Sequence, residues 1–132
     1  MNLLEFTRNY AEEIDGQFTD YDHSKSVIVV PLTGDRFQTV LCISQKSPVS
    51  GKEQIAITSK VCQFTSNIDL KHLLEQNANF DYCKFILEDG YLKVDASGLA
   101  ASMTEEQLKE MIQEVAQLAD HYEFKFTGKD IH

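Results

Sequence analysis

The dipeptide Asp89-Gly90 most constrains how this chain folds, because it lies between two alternating segments, residues 80–88 and 91–97. Asp-Gly favours a two-residue hairpin turn, so the flanking residues are expected to pair as antiparallel strands. This register predicts one continuous apolar face, formed by the pairs Leu87–Leu92, Phe85–Val94 and Cys83–Ala96. The opposite face carries the pairs Lys84–Asp95, Ile86–Lys93 and Glu88–Tyr91. The alternation therefore predicts a hairpin with one side in a core and the other in water.

Three amphipathic segments predict helices. Residues 104–122 begin with the capping box Thr-Glu-Glu-Gln, and their apolar residues recur at helical spacing. Residues 2–14 repeat apolar side chains every three or four positions, which indicates a first helix. Residues 70–76 predict a short middle helix, since the preceding residues 66–69 include Ser, Asn and Asp as capping candidates.

The remaining β-rich segments complete an α+β fold. Residues 26–44 predict a hairpin, and residues 53–64 predict a further strand, whereas the polar residues 19–25 are expected to form a loop or a ragged edge. The resulting order of elements is α-β-β-β-α-β-β-α. Because the connections between strands are short, we expect a mostly antiparallel five-stranded sheet with helices packed mainly on one face.

The first hairpin differs from the second because both of its faces are apolar. A two-residue turn at Gly34-Asp35 pairs Ile28 with Leu41 and Val30 with Thr39 on the core side. The reverse side then carries Val27, Val29, Val40 and Cys42. A strand that is apolar on both sides is normally covered on both. These four residues are therefore predicted to form a patch for a homodimer contact or a bound partner segment, unless the first helix or the loop of residues 45–52 folds across it.

Composition narrows the class of protein. The chain has 132 residues, with 12 Lys+Arg and 21 Asp+Glu, for a formal net charge of −9. Phosphate binding needs an excess of Lys and Arg, so nucleic acid and anionic membranes are not expected as partners. Hydrophobic residues make up 42% of the chain, which argues against intrinsic disorder, and no apolar run approaches the length of a membrane span. We expect a single domain over residues 1–127 and a frayed tail over residues 128–132.

The cysteines and the N-terminus bear on the cellular compartment. The chain has three cysteines, Cys42, Cys62 and Cys83, and each lies in an apolar run. An odd number in such positions is typical of free, buried thiols and not of a disulfide framework. The N-terminal residues lack the basic start and apolar stretch of a signal peptide. A cytoplasmic protein is therefore expected.

The sequence contains no catalytic or phosphate-binding motif. The densest group of possible ligands is Asp20-Tyr21-Asp22-His23, and its preferred interpretation is a solvated loop. Cys62 is the alternative nucleophile, although nothing near it in the sequence predicts a lowered thiol pKa. We expect no enzyme activity, no metal site and no cofactor.

The order of elements resembles the type III secretion chaperone fold. The segments FDYCKFILEDGYLKVDAS and MTEEQLKEMIQEVAQLADHY are similar to the hairpin and long final helix of bacterial YbjN-type proteins of that superfamily. The resemblance implies a non-enzymatic protein-binding module that often dimerises. It also implies that the middle helix supplies residues of a dimer contact or of the core, namely Leu70, Leu73 and Leu74.

Three functional hypotheses follow, and the third in order of preference is an enzyme that uses Cys62 or the group of Asp20, Asp22 and His23. The first is a cytosolic chaperone-like module that binds a partner protein segment on an apolar sheet surface, as a dimer and without a cofactor. The alternative is a small acidic inhibitor or immunity-type protein that masks a basic partner enzyme, since complementary charge speeds encounter.

Overall fold

The computed structural model describes residues 2–128, which form three α-helices and six β-strands. The helices are α1 (Leu3–Glu13), α2 (Leu70–Gln76) and α3 (Glu105–Thr127). The strands are β1 (Gln17–Asp22), β2 (Lys25–Pro31), β3 (Phe37–Lys46), β4 (Glu53–Gln63), β5 (Lys84–Glu88) and β6 (Tyr91–Leu99). Short 3₁₀ turns follow α2 at Asn77–Asn79 and β6 at Ala100–Ser102. None of the described helices is both long and apolar enough to cross a lipid bilayer.

All six strands form one antiparallel sheet in the order β1-β2-β3-β4-β6-β5. The α+β class and the antiparallel pairing are confirmed, whereas the expected count of five strands is wrong. The additional strand is β1, in a segment predicted largely as a loop. Only Phe18 of this edge strand is partly buried, and its other side chains are exposed. An edge strand without a buried face carries no alternation of apolar residues for a sequence pattern to detect.

The hairpin β5–β6 has the register predicted from its turn. Leu87 pairs with Leu92, and the other predicted pairs between these two strands are also present. Asp89 and Gly90 have φ values of 55° and 79°, as a two-residue type I′ turn requires. Local turn chemistry therefore decides the pairing of this hairpin.

The hairpin β2–β3 is offset by one residue from the predicted register. Ile28 pairs with Val40 instead of with the predicted partner, Leu41. The turn is the cause, because the Leu32 N–H donates to the Arg36 carbonyl at 2.9 Å and closes a loop that is one residue longer than predicted. A shift of one residue exchanges the two faces of a strand relative to its neighbour. Val40 and Cys42 consequently share a face with Ile28.

The three helices bury their apolar side chains on one face of the sheet, the helix-covered face. One cluster of buried side chains joins them to the strands. Its helical members are Leu3, Phe6, Tyr10 and Ala11 of α1, Leu73 of α2, and Leu108, Met111, Ile112, Val115, Ala116, Ala119 and Tyr122 of α3. The strand members are Ile28, Val30, Val40, Cys42, Ile55, Ile57, Val61, Cys62, Phe85, Leu92, Val94 and Ala96. The opposite side of the sheet is the outer face.

The carboxylate of Glu114 fastens the segment before β5 to α3. Its Oε1 accepts the N–H groups of Tyr82 and Cys83 at 2.7 and 2.8 Å, and its Oε2 accepts the N–H of Asp81 at 3.0 Å. Partial burial disfavours the charge, but a hydrogen bond from the Cys83 thiol together with these backbone hydrogen bonds outweighs it and holds the pKa of Glu114 below its ordinary value. The contact positions the start of β5 against the helix layer.

The ends of α3 are defined by capping. Thr104 and Gln107 form the predicted capping box at its start. The helix ends at Thr127, and Gly128 follows in the left-handed conformation with φ 71°, its N–H donating to the Phe124 carbonyl at 2.8 Å. Residues 129–132 of the predicted tail lie outside the described residues.

Candidate protein-binding surface

The outer face carries an apolar region, which we call the apolar patch: Val27, Val29, Leu41, Ile43 and Ala56. Val27 pairs with Leu41 across β2 and β3, and Ile43 pairs with Ala56 across β3 and β4, so the pleat brings these side chains together. Ala56 is buried, and the other four are partly exposed. The helices of the described chain bury their apolar residues on the other face, so none of them covers this patch. An uncovered apolar region of this kind is typical of a protein contact.

Beside the apolar patch, the outer face carries three lysines on β4, β5 and β6, which we call the lysine cluster: Lys60, Lys84 and Lys93. Lys60 and Lys93 are directly opposite each other in the β4–β6 ladder. Like charges in opposite positions destabilise a sheet. The Lys60 ammonium lies 4.5 Å from the centroid of the Tyr91 ring, which partly offsets this repulsion.

Two carboxylates lie within the lysine cluster. Lys93 Nζ is 2.8 Å from Glu88 Oε1, and Lys84 Nζ is 3.9 Å from Asp95 Oδ2. Burial raises the pKa of Asp95, although the neighbouring Lys84 opposes that shift. The outer face is therefore partly desolvated at this point, where β6 is flanked by β4 and β5.

The four residues predicted as a partner patch do not share one surface. Val27 and Val29 lie on the outer face, whereas Val40 and Cys42 are 0% exposed within the core. The one-residue offset of the β2–β3 hairpin separates the two pairs. It places Leu41 on the outer face instead, which the predicted register had assigned to the core. The correct register would have followed from assigning a three-residue loop around Gly34 instead of a two-residue turn.

The leucines of α2 also divide between two environments. Leu73 is 2% exposed and belongs to the core, whereas Leu70 and Leu74 are 39% and 67% exposed. Asp69 caps the helix by accepting the His72 N–H at 3.1 Å, as its position predicts. A dimer contact through the two exposed leucines stays a prediction.

The three cysteines are free and buried. Burial raises the pKa of Cys42 to about 12 and also raises the pKa of Cys83 well above its ordinary value. Burial raises the pKa of Cys62 as well, and the nearby charge of Glu123 adds to this shift. A nucleophilic cysteine needs a shift in the opposite direction.

The acidic group around His23 forms a turn. Asp22 Oδ1 accepts both the N–H and the Oγ–H of Ser24 at 2.8 Å, which closes the connection between β1 and β2. These hydrogen bonds lower the pKa of Asp22. Within residues 2–128, no group of three His, Cys, Asp or Glu side chains is placed to hold a metal ion.

An open cleft of about 550 Å³ lies between α3 and the β2–β3 loop. Four of the polar side chains that line it form two hydrogen-bonded pairs. Arg36 Nε donates to Asp120 Oδ2 at 3.0 Å, and Gln117 Nε2 donates to Gln113 Oε1 at 3.3 Å. Gln113 in turn donates to the Tyr10 hydroxyl at 3.0 Å. The cleft therefore lies at a partly polar border of the helix layer.

The described chain is thus an α+β protein with a six-stranded antiparallel sheet, helices on one face and an uncovered apolar patch on the other. It is similar in structure to a chain of the solved HopA1–SchA chaperone–effector complex, with a TM-score of 0.62 and 13% sequence identity. The match covers 92% of this chain and 94% of that chain. No family model matches the sequence, and no curated protein matches it. The similarity shows that the two chains share a fold, whereas a chaperone role and a relation to YbjN-type proteins stay predictions.

Proposed function

We propose that this chain is a non-enzymatic, chaperone-like module that binds a segment of a partner protein on the outer face of its sheet. The observation that carries the proposal is the apolar patch, which no helix of the described chain covers. The similarity of the fold to a chain of a chaperone–effector complex supports it. A relation to YbjN-type proteins and a cytoplasmic location belong to the same proposal.

The energetics favour such a use of the patch. Burial of apolar surface contributes about 25 cal/mol for each Å² removed from water. A partner that covers about 400 Å² of apolar surface would therefore gain on the order of 10 kcal/mol, before the entropic cost of association is subtracted.

Site-specific photo-crosslinking in the cell of origin tests the proposal. A benzophenone amino acid replaces Leu41 on the outer face or, as the matched control, the exposed Gln117 on α3. We expect a discrete adduct with a second protein from position 41 and none from position 117. Adducts from position 117 alone would overturn the proposal and favour an acidic inhibitor that binds through the helix layer.

A pair of substitutions in the first hairpin separates binding from folding. Val29→Asp places a charge on the outer face and is expected to abolish the adduct from position 41 while the protein stays folded. Val40→Asp places the same charge in the core, where an unpaired carboxylate is costly, and is expected to unfold the protein. Circular dichroism measures the folding of both variants. Unfolding of the Val29 variant would show that this residue is structural.

The proposal includes a homodimer formed through the exposed leucines of α2. Light scattering coupled to size-exclusion chromatography is expected to give twice the chain mass of 15.0 kDa. Leu74→Asp should convert the dimer to a monomer, because Leu74 is 67% exposed in the single chain. A monomer at all concentrations would remove the dimer and leave the binding proposal in place.

A further inference from the structure

We infer that the outer face binds an amphipathic helix whose apolar stripe is flanked by acidic side chains. This inference rests on the proposed function and adds the conformation and the charge of the partner segment. It is carried by the charge of the outer face and by the hydrogen bonding of the sheet.

The outer face has the opposite sign of charge from the rest of the chain. The charged strand residues that point to it are four lysines and three carboxylates, for a formal net charge of +1, namely Lys25, Lys60, Lys84, Lys93, Asp22, Glu88 and Asp95. The whole chain has a net charge of −9. Apolar contact selects any hydrophobic segment, but this local charge attracts acidic segments and repels basic ones.

The hydrogen bonds of the sheet decide the conformation of the partner. Strands β2, β3, β4 and β6 each have a neighbour on both sides, so their backbone groups are directed along the sheet. The outer face therefore offers side chains only. An extended segment lying on it would leave its own N–H and C=O groups unpaired, whereas a helix satisfies them internally.

The edges of the sheet are poorly suited to accept an extended strand. At β5, the Asn77 Oδ1 already accepts the Phe85 N–H at 2.7 Å. At β1, the pairing is irregular between Asp20 and Asp22, and these exposed carboxylates lie within the strand near its end. Charged and irregular edges disfavour strand addition.

The spacing of the strands fits one helix. Neighbouring strands are about 4.8 Å apart, so β3 and β6 are separated by about 10 Å across β4. A helix with its side chains is about 10–12 Å wide. A helix with its apolar stripe on Leu41 and Ile43 would therefore hold the acidic residues of one flank over Lys60 on the neighbouring strand β4.

The test uses four fluorescein-labelled peptides of about 18 residues, the length of a helix of about 27 Å. The first repeats Leu at helical spacing and carries Glu on both flanks of the stripe. In the second and third, Lys or Gln replaces every Glu. In the fourth, Ser replaces every Leu. Fluorescence anisotropy measures the affinity of each peptide for the full chain, and backbone amide NMR shifts locate the binding site.

We expect the acidic peptide to bind at least about ten-fold more tightly than the basic one, with the largest amide shifts on the outer face. Lys60→Glu should weaken the acidic peptide about ten-fold. Lys52→Glu, which makes the same change in net charge in an exposed loop, should alter the affinity less than two-fold. The peptide without leucines should not bind measurably.

Several results would overturn the inference. Tighter binding of the basic peptide, equal effects of the two lysine variants, or outer-face shifts that depend on protein concentration without peptide would each do so. If the position-41 crosslink persists while all peptides bind equally or fail to bind, the proposed function stands and this inference fails. If crosslink and peptide binding are both absent, both fail.

Discussion

The two faces of the sheet share one ladder of backbone hydrogen bonds, yet their side chains serve different purposes. On the helix-covered face, Ile57, Leu92 and Val94 are at most 1% exposed. On the outer face, Val27 and Leu41 stay partly exposed, and lysines lie beside them. The first face stabilises the fold by burial, whereas the second leaves apolar surface uncovered at a cost in stability. A protein retains such a surface when another molecule covers it.

The largest difference in the free energy of unfolding is expected between two Leu→Ala substitutions, one on each face of the sheet. Leu92→Ala removes a side chain that is 1% exposed and leaves a cavity, so the free energy of unfolding should fall by about 3 kcal/mol. Leu41→Ala on the outer face should cost about 1 kcal/mol, because Leu41 is only partly buried. Urea unfolding measures both values. Equal losses would show that something covers the outer face in the free protein.

Substitution of a buried polar side chain on the helix-covered face should give the next largest loss in the free energy of unfolding. Gln38 is 0% exposed, and its Nε2 donates to Ser59 Oγ at 2.8 Å and to the Lys60 carbonyl at 3.1 Å. Gln38→Ala should cost about 2 kcal/mol, because these acceptors lose their donor in a dry environment. Gln45→Ala, at an exposed pair with Gln54, should cost less than about 0.5 kcal/mol. A small loss for Gln38→Ala would show that its two hydrogen bonds contribute little to stability.

Substitution of two glutamates compares how much a carboxylate contributes to stability in the helix layer and on the outer face. Glu114→Gln weakens three hydrogen bonds to backbone N–H groups and should cost about 1–2 kcal/mol at neutral pH. Glu88→Gln removes an exposed ion pair with Lys93 and should cost less than about 0.5 kcal/mol. Urea unfolding again gives both values.

The same pair has a distinct pH dependence. The pKa of Glu114 is lowered in the folded state, so its contribution is present above the ordinary glutamate pKa of about 4.3. The contribution is lost as the pH falls through the lower folded pKa. The difference in unfolding free energy between wild type and Glu114→Gln should therefore shrink in acid. A constant difference from neutral pH down to about pH 3 would contradict the role of the carboxylate.

The smallest change is expected at the lysine cluster. Lys60→Glu removes the repulsion from Lys93 and loses the contact with Tyr91, so stability should stay within about 0.5 kcal/mol of wild type. Thermal unfolding checks this value. A large loss would make the lysine structural and would weaken the argument that it serves recognition.

Features that depend on a few neighbouring residues could be predicted from the sequence, whereas features that depend on distant residues could not. Asp89-Gly90 fixed the second hairpin because the turn itself dictates which residues face each other. Thr104 and Asp69 marked helix starts because a cap needs only residues three positions apart. The first hairpin failed by one residue, since Gly34 accommodates either a two-residue or a three-residue loop.

Only two of the four residues predicted for the candidate surface lie on it, because the other two depend on the register of the first hairpin. Val27 and Val29 were found because their segment is apolar throughout, whereas assignment of Val40 or Leu41 to the surface depends on the register. The lysine cluster depends on pairing between β4 and β6, which are separated by α2 and β5 along the chain. No local pattern in the sequence places Lys60 opposite Lys93.

The sequence by itself determined the α+β class, the helix starts, the second hairpin and the presence of excess apolar surface, because these depend on residues close together in the chain. Only the tertiary structure decided the sixth strand, the face on which each first-hairpin residue lies and the reversal of charge on the outer face. Those properties arise from pairing between distant strands. Side chains in a sheet alternate with a period of two, so a single-residue difference in such pairing exchanges core and surface.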